Sequence, residues 1–259
     1  MLCAGLVHGS VVINFTSGED FDQAVLDGQN GWSVSIPGDA SVVAGGLSYT
    51  AGSVVHNGGD QKLSIFGGDE ARASIALPAA YSPGETFYFS FLFNHNSGDN
   101  FTWFAFSGGA ADDNFSVSAV GQNAGGQPRL RSRVRDTAQT QVNGNENHDM
   151  GNNITRLVVG EVFFGGDSAN STITLWMDPT SLDKNDAINP IVNNGRNIGI
   201  TELNTLWIRK GGNEGEGFID HIMVGDSWDA VVIPEPSTYA ALFGAAAFGI
   251  VLLLRRRRG

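Results

Sequence analysis

The segment TFYFSFLFN, residues 86–94, constrains the fold of this chain more than any other part of the sequence. Phenylalanine occupies every second position from Phe87 to Phe93. Side chains along a strand point alternately to its two faces, so all four rings lie on the same face. We therefore predict a central strand with one side in a hydrophobic core. HNSGDN follows as a predicted hairpin loop, and FTWFAFSG continues as a strand that is apolar on both faces.

Similar short segments recur along the chain between clusters of Gly, Asn, Asp and Ser, which are turn-forming residues. Beyond the strand at 86–94, the predicted strands are Val11–Phe15, Trp32–Ile36, Lys62–Phe66, Ala71–Leu77, Phe115–Val120, Arg129–Val134, Arg156–Phe164, Ser171–Met177, Leu206–Arg209 and Phe218–Val224. Before the C-terminal tail, only Asp20–Leu26 favours a helical turn or two. The pattern predicts an all-β fold, an antiparallel β-sandwich or jelly roll, as one domain over residues 11–231.

The tail, residues 232–259, has a different composition. Thr238–Leu254 contains 17 residues without a charge, and four arginines follow, namely Arg255, Arg256, Arg257 and Arg258. As a helix this run spans about 26 Å, slightly less than the hydrocarbon core of a bilayer. Arginine side chains can snorkel to the headgroups, and the positive-inside rule places them in the cytoplasm. The tail predicts a single C-terminal transmembrane helix, stopped and oriented by the four arginines, with the preceding domain outside.

Pro234, Glu235 and Pro236 stand directly before this helix. A Pro-Glu-Pro tripeptide, an apolar helix and a terminal arginine cluster, in that order, resemble the PEP-CTERM sorting signal of exported bacterial proteins. The resemblance implies an exosortase-type membrane protease as a partner. It also implies a transient anchor in the inner membrane, followed by delivery to the cell surface or extracellular matrix. A permanent C-terminal anchor is the alternative.

The N-terminal residues and the net charge further limit the classes of protein to which this chain can belong. Residues 1–10 contain a short apolar stretch and the only cysteine, Cys3, and we interpret them as the remnant of a signal peptide. Eleven basic residues precede Arg255 against 27 acidic ones, a net charge of −16 without the terminal arginines. This balance argues against a nucleic-acid partner, because nucleic-acid binders need basic surfaces.

Two regions of the sequence add a second resemblance. DGQNGWSVS and VVAGGLSYTAG near the start, together with TLWMDP and GFIDHIMVGDSWDAVV near the end, resemble the concanavalin A-like lectin and glucanase sandwiches that carry PEP-CTERM tails. This resemblance implies two packed antiparallel sheets, a final strand beside the N-terminal one, and a concave face that binds sugars in some relatives.

Candidate catalytic residues are scarce. Glucanases of this class carry a Glu-x-Asp-x-x-Glu strand with two carboxylates on one face, and this chain has none. The nearest candidates are Glu214, Glu216 and Asp220, whose spacing is wrong and which we interpret as an acidic loop leading into the last strand. We therefore predict no catalytic residue and a non-catalytic protein. A glycan-active hydrolase or lyase is the alternative, and a purely structural matrix protein is another.

Two tryptophans are candidate sugar-stacking residues. If the aliphatic residues of STITLWM and TLWIRK fill the core, Trp176 and Trp207 lie on the opposite faces of their strands. An indole there can stack on a sugar while Arg209 binds its hydroxyls. Alternatively, loops cover these tryptophans and make a second small core.

The segment RLRSRVR is the other candidate. Arg129, Arg131, Arg133 and Arg135 alternate with smaller residues, so four guanidinium groups share one face of a strand. The planar guanidinium group of arginine matches carboxylates and sulfates in geometry, so this face can bind an acidic polysaccharide. It can equally be a charged edge strand that blocks aggregation, or a row that pairs with acidic residues across the sheet.

Calcium is the one cofactor that the sequence leaves open. Asp112 and Asp113 offer hard oxygen ligands in a loop, although Asn, Asp and Gly are also the residues that turns require. Taken together, the residues and resemblances favour an exported cell-surface or matrix protein that binds polysaccharide without cleaving it.

Overall fold

The computed structural model describes residues 11–17, 21–36, 38–66, 72–95, 101–108, 116–124, 127–136, 138, 140–144, 148–211 and 216–233. Eighteen strands account for most of this part of the chain. The first nine are β1 Val11–Ile13, β2 Ser33–Val34, β3 Ala40–Ala44, β4 Ser48–Ala51, β5 Val54–Asn57, β6 Gln61–Ile65, β7 Arg72–Tyr81, β8 Thr86–His95 and β9 Phe101–Ser107. The second nine are β10 Ser116–Ala124, β11 Gln127–Arg135, β12 Gln141–Asn143, β13 His148–Asp149, β14 Thr155–Phe163, β15 Ser171–Met177, β16 Ile191–Arg196, β17 Leu203–Gly211 and β18 Gly217–Gly225.

Helical structure is confined to short pieces in the described residues. Two 3₁₀ turns cover Gln29–Gly31 and Lys184–Asp186, and one short helix, α1, covers Asp229–Val232. The predicted helical turn at Asp20–Leu26 is wrong for its described part. There the chain runs beside β3, where the Leu26 amide donates to the Ala40 carbonyl and the Val42 amide donates to the Ala24 carbonyl, both at 2.9 Å.

The strands form two eight-stranded antiparallel sheets and one hairpin. Sheet I has the order β16-β15-β14-β8-β18-β6-β3, with β1 paired to β18. Sheet II has the order β12-β11-β10-β9-β17-β7-β2, with β13 paired to β11. The hairpin consists of β4 and β5. The predicted all-β antiparallel sandwich is confirmed, and so is the pairing of the last strand with the N-terminal one.

The main core lies between the two sheets. Phe87, Phe89, Phe91 and Phe93 of β8 are buried in it, as the alternation predicts. Phe104 of sheet II stacks on Phe91 with ring centroids 4.1 Å apart, which joins the two layers. The prediction that β8 and the following strand form a hairpin is wrong, because β8 belongs to sheet I and β9 to sheet II.

A second, smaller core covers the outer face of sheet I. Leu92, Leu157 and Trp176 point out of the sheet, and residues of the β4–β5 hairpin and of α1 pack over them. Val231 and Val232 of α1 are fully buried. The predicted boundary between residues 231 and 232 therefore falls inside a packed helix, and the described fold continues to Ile233.

Candidate functional site

The arginines of β11 lie on the outer face of sheet II. Leu130 and Val134 are buried in the main core, so the alternate positions Arg129, Arg131, Arg133 and Arg135 face away from it. The strand is not an edge strand, because β10 pairs with one side and β12 and β13 pair with the other. The protective edge-strand interpretation therefore does not apply to this row.

The strands next to β11 bring further basic and aromatic residues to the same face. The register places Arg131 opposite Val120, Val120 opposite Trp103, and Trp103 opposite Arg209. Arg209 in turn lies opposite Arg72 of β7. We call the resulting surface the arginine face. Its members are Arg72, Arg129, Arg131, Arg133, Arg135 and Arg209, with Trp103 and Trp207 among them.

Trp103 is the centre of this arrangement. The guanidinium carbon of Arg133 lies 4.5 Å from its ring centroid, and that of Arg209 lies 4.9 Å from it. The Trp207 ring is 5.8 Å away, tilted by 44°. Trp103 and Trp207 are only 6% and 3% exposed, so neither presents an open ring. The Trp103 indole holds the two guanidinium groups in place through cation–π contact.

Positive charge is crowded around Arg133 on the arginine face, whereas the register places the carboxylate of Asp149 in β13 directly opposite Arg129. Burial, together with the guanidinium groups of its neighbours on the face, lowers the pKa of Arg133 to about 10. The Nε of Arg133 donates to Oδ1 of Asn143 at 2.9 Å, which fixes the plane of the side chain. Arg133 still carries its charge at neutral pH. Whereas Arg133 is buried, Arg129, Arg131 and Arg135 are partly exposed.

The two tryptophans singled out from the sequence have different surroundings. Trp207 and Arg209 lie on the arginine face, and Leu206 and Ile208 fill the core as predicted. Trp176 lies on the outer face of sheet I, at 6% exposure, with its ring 5.1 Å from that of Trp228. The structure favours the second-core alternative for Trp176, which has no open face for a sugar.

Glu216 and Asp220, the described members of the acidic set near β18, lie in different surroundings. Glu216 accepts a hydrogen bond from the Ser64 hydroxyl. Asp220 is fully buried and accepts from the amides of Leu47 and His221, both at 2.8 Å. Glu214 lies outside the described residues. Asp220 is therefore a structural group that fastens the loop before β4 to β18.

A buried histidine pair lies beside Asp220, and no motif in the sequence pointed to it. His221 adopts a left-handed backbone with φ 46° and lies 2.6 Å from Oδ1 of Asn14 through Nδ1. Its ring meets that of His56 edge-on at 5.0 Å. Burial lowers the pKa of His56 to about 3 and that of His221 to about 4, whereas burial raises the pKa of Asp220 to about 7.

Several predicted sites lie outside the described residues. These are the calcium candidates Asp112 and Asp113, the tripeptide Pro234-Glu235-Pro236, the apolar run 238–254 and the four arginines Arg255, Arg256, Arg257 and Arg258. The predicted membrane-stop role of those arginines therefore stays a prediction. In the part that is described, no three His, Cys, Asp or Glu side chains group together as a metal site. No helix of that same part is long and apolar enough to cross a membrane.

Comparison with known proteins identifies the tail. Residues 232–258 match the PEP-CTERM protein-sorting motif. The tail is a PEP-CTERM sorting signal. The matched range includes the Pro-Glu-Pro tripeptide, the apolar run and the arginine cluster from Arg255 through Arg256 and Arg257 to Arg258. The signal is typical of exported proteins that are processed at the membrane, so the comparison supports the predicted direction of transport. A search of curated protein sequences gave no significant match.

Solved structures resemble the domain that precedes the PEP-CTERM signal. The globular domain of T. cruzi calreticulin matches with a TM-score of 0.52 at 12% identity, over 88% of this chain and 95% of that one. Lectin II from Ulex europaeus matches with a TM-score of 0.47 at 13% identity, over 85% and 98%. A β-1,3-glucanase from Mycobacterium marinum matches with a TM-score of 0.44 at 12% identity, over 83% and 97%. The first match supports the predicted concanavalin A-like fold.

Proposed function

We propose that this chain is an exported, non-catalytic polysaccharide-binding protein of the bacterial cell surface or extracellular matrix. Its PEP-CTERM signal is recognised by an exosortase-type protease, with the C-terminal helix as a transient anchor in the inner membrane. The arginine face is the binding surface. The observation that carries this proposal is the convergence of six arginines from β7, β11 and β17 on one sheet face of an acidic protein.

The chemistry of that face suits a polar polymer. Guanidinium groups present several donors in a fixed plane, and hydroxyl and carboxylate oxygens of sugars accept from them. The main core is closed without this face, because Leu130, Leu206 and Ile208 complete the packing from the other side of the strands. The arginines of this face are therefore not part of the main core.

A glycan array tests the proposal. The full-length chain, kept in a non-ionic detergent, should bind at least one class of polysaccharide. Arg131→Ala and Arg209→Ala, made singly, should each weaken that binding at least tenfold. Lys62→Ala is the control, since Lys62 belongs to sheet I and its removal lowers the positive charge in the same way. Absence of binding to any glycan would contradict the proposal.

The enzyme alternative has its own readout. If the chain cleaves its ligand, reducing ends or unsaturated products appear when it is incubated with the bound glycan. The enzyme alternative would replace the non-catalytic proposal if the chain still releases such products after repurification and the Arg131 and Arg209 variants do not. Binding without product supports the non-catalytic proposal.

A further inference from the structure

The arginine face concentrates positive charge in a chain that is acidic elsewhere. Six of the eleven basic residues that precede Arg255 lie on this one face, while the chain without its terminal arginines carries a net charge of −16. Alternate residues of a strand are about 7 Å apart, so the guanidinium groups of β11 repel one another. The register places the carboxylate of Asp149 in β13 opposite Arg129, and an anionic ligand would add to this compensation.

Three arginines of the face lie along one line across the strands. Arg131, Arg209 and Arg72 belong to one register row that crosses five neighbouring strands, from β11 through β10, β9 and β17 to β7. Neighbouring strands are about 4.8 Å apart, so this row extends over about 19 Å. Arg133, beside Trp103, lies next to the row. The charges therefore form a band across the strands rather than a compact pocket.

The aromatic residues of the face argue against a neutral ligand. A neutral sugar is held chiefly by stacking on an open aromatic plane and by hydrogen bonds. Here the guanidinium carbons of Arg133 and Arg209 lie 4.5 Å and 4.9 Å from the centroid of the Trp103 ring, and Trp207 is almost fully buried. Arg133 and Arg209 are themselves only 8% and 7% exposed. The groups that the face offers to a ligand are therefore chiefly the partly exposed arginines Arg72, Arg129, Arg131 and Arg135.

We infer that the arginine face binds a linear polyuronate, a polysaccharide whose sugars carry carboxylates, laid across the strands along the register row. The inference rests on the proposed function and narrows its ligand. A planar carboxylate matches the guanidinium fork in two parallel hydrogen bonds. Because the carboxylates of a polyuronate are a whole sugar unit apart, the acidic remainder of the protein surface repels it less than it repels a denser polyanion. Duplex DNA, with a charge every 1.7 Å or so along its axis, would be repelled by the rest of the surface.

Polygalacturonate and its fully methyl-esterified form test this directly, because they share a backbone and differ only in charge. The full-length chain in non-ionic detergent should bind immobilised polygalacturonate at least tenfold more tightly than the ester, and the affinity should fall as salt is raised. Dextran sulfate and duplex DNA serve as anionic polymers of different chemistry. Both should bind more weakly than polygalacturonate.

Variants locate the site. Arg72→Gln and Arg131→Gln, at the two ends of the row, should each weaken polygalacturonate binding about tenfold, the effect of one charged hydrogen bond. Arg131→Lys keeps the charge but removes the fork, so it should lose most of the same affinity. Lys62→Gln on sheet I changes the net charge equally and should bind as the wild type does. Thermal melting of each variant confirms that the fold is intact.

Each contrary result has a distinct meaning. Equal binding of the acid and the ester would overturn the polyuronate inference and leave polysaccharide binding in place. Equal binding of dextran sulfate or DNA would overturn it as well, since charge alone would explain the data. Loss of affinity in Lys62→Gln equal to that in Arg131→Gln would move the site away from the arginine face. Binding to no glycan at all would remove the proposed function together with the inference.

Discussion

The buried imidazole of His221 makes the stability of the domain depend on pH in a direction that can be calculated. Burial lowers the pKa of His221 to about 4 from the ordinary value of 6.5. Below pH 6.5 the unfolded chain binds a proton that the folded chain excludes, so stability falls as the pH falls from about 6.5 to about 4. For these two values, acidification from pH 6 to pH 5 costs about 1.2 kcal/mol through this single group.

His221→Asn isolates this contribution. Asparagine cannot titrate, and it tolerates the left-handed backbone that His221 adopts with φ 46°. The free energy of unfolding of the variant should therefore fall by about 1.2 kcal/mol less than that of the wild type between pH 6 and pH 5. Urea titration of the full-length chain in non-ionic detergent, followed by tryptophan fluorescence, measures both values.

Asp220→Asn tests a pH dependence of stability that has the opposite sign, at the residue next to His221 in the chain. Burial raises the pKa of Asp220 to about 7 from 3.8, so its contribution to stability is fully present below pH 3.8 and is lost as the pH rises to about 7. Without it, acidification from pH 6 to pH 5 should cost more than in the wild type. An identical loss in wild type, His221→Asn and Asp220→Asn would refute the reasoning, because these groups would then not be buried in the states we describe.

Three further predictions concern packing and processing. Trp176→Ala should destabilise the domain by about 3–5 kcal/mol in urea unfolding because the indole fills the second core, whereas Thr174→Ala on the same strand should cost about 1 kcal/mol or less. Gly160→Ala should cost about 1–3 kcal/mol, since an added Cβ would overlap the ring of Phe89; no change in the urea midpoint would contradict the close packing. Glu235→Ala should block removal of the tail, so an immunoblot of cells that contain the exosortase should show full-length protein in the membrane fraction. Identical fractionation of wild type and Glu235→Ala would mean that the segment is a permanent anchor.

Alternation of residues along strands was enough to predict which side chains face the main core. It assigned the four phenylalanines of β8 to the interior, as observed. It also placed Trp176 and Trp207 on the opposite faces of their strands, as observed. Alternation does not reveal what lies over the opposite face. Trp176 contacts Trp228 and shares the second core with Leu47, both of which are distant from it in sequence. Alternation therefore leaves open whether a tryptophan that points away from the main core is a sugar-stacking residue or part of a second core, and Trp176 is part of a second core.

The arginine face shows the same limit for a candidate site. The row in β11 was visible from its period of two, and the sequence already suggested acidic polysaccharide as its ligand. Its extension was not visible, because Trp103 and Arg72 reach it through pairing of β9 and β7 with β17, far along the chain. The sharp change of sheet between β8 and β9 was missed for a related reason. A Gly- and Asn-rich loop indicates a reversal of the chain but not the sheet in which the next strand lies.

The end of the folded domain gives a last prediction, because the fold holds the chain up to the sorting motif. The hydroxyl of Ser90 donates to the Val231 carbonyl at 2.6 Å, and Nε2 of His56 lies 3.2 Å from the Val232 carbonyl. The indole Nε1 of Trp228 donates to the carbonyl of Leu182 at 2.9 Å. Removal of the tail after Ile233 therefore leaves every described contact in place.

A pair of truncations tests this boundary. A chain that ends at Ile233 should melt at the same temperature as the domain within the full-length protein. A chain that ends at Ser227 loses Trp228, Val231 and Val232, each of which contributes about 1.5–3 kcal/mol by burial, and should be destabilised by several kcal/mol. If both truncations melt alike, α1 is dispensable and the domain ends earlier. If only the shorter one is unstable, proteolysis at the Pro-Glu-Pro motif releases a domain that is already complete, because Ile233, the last described residue of its fold, immediately precedes Pro234.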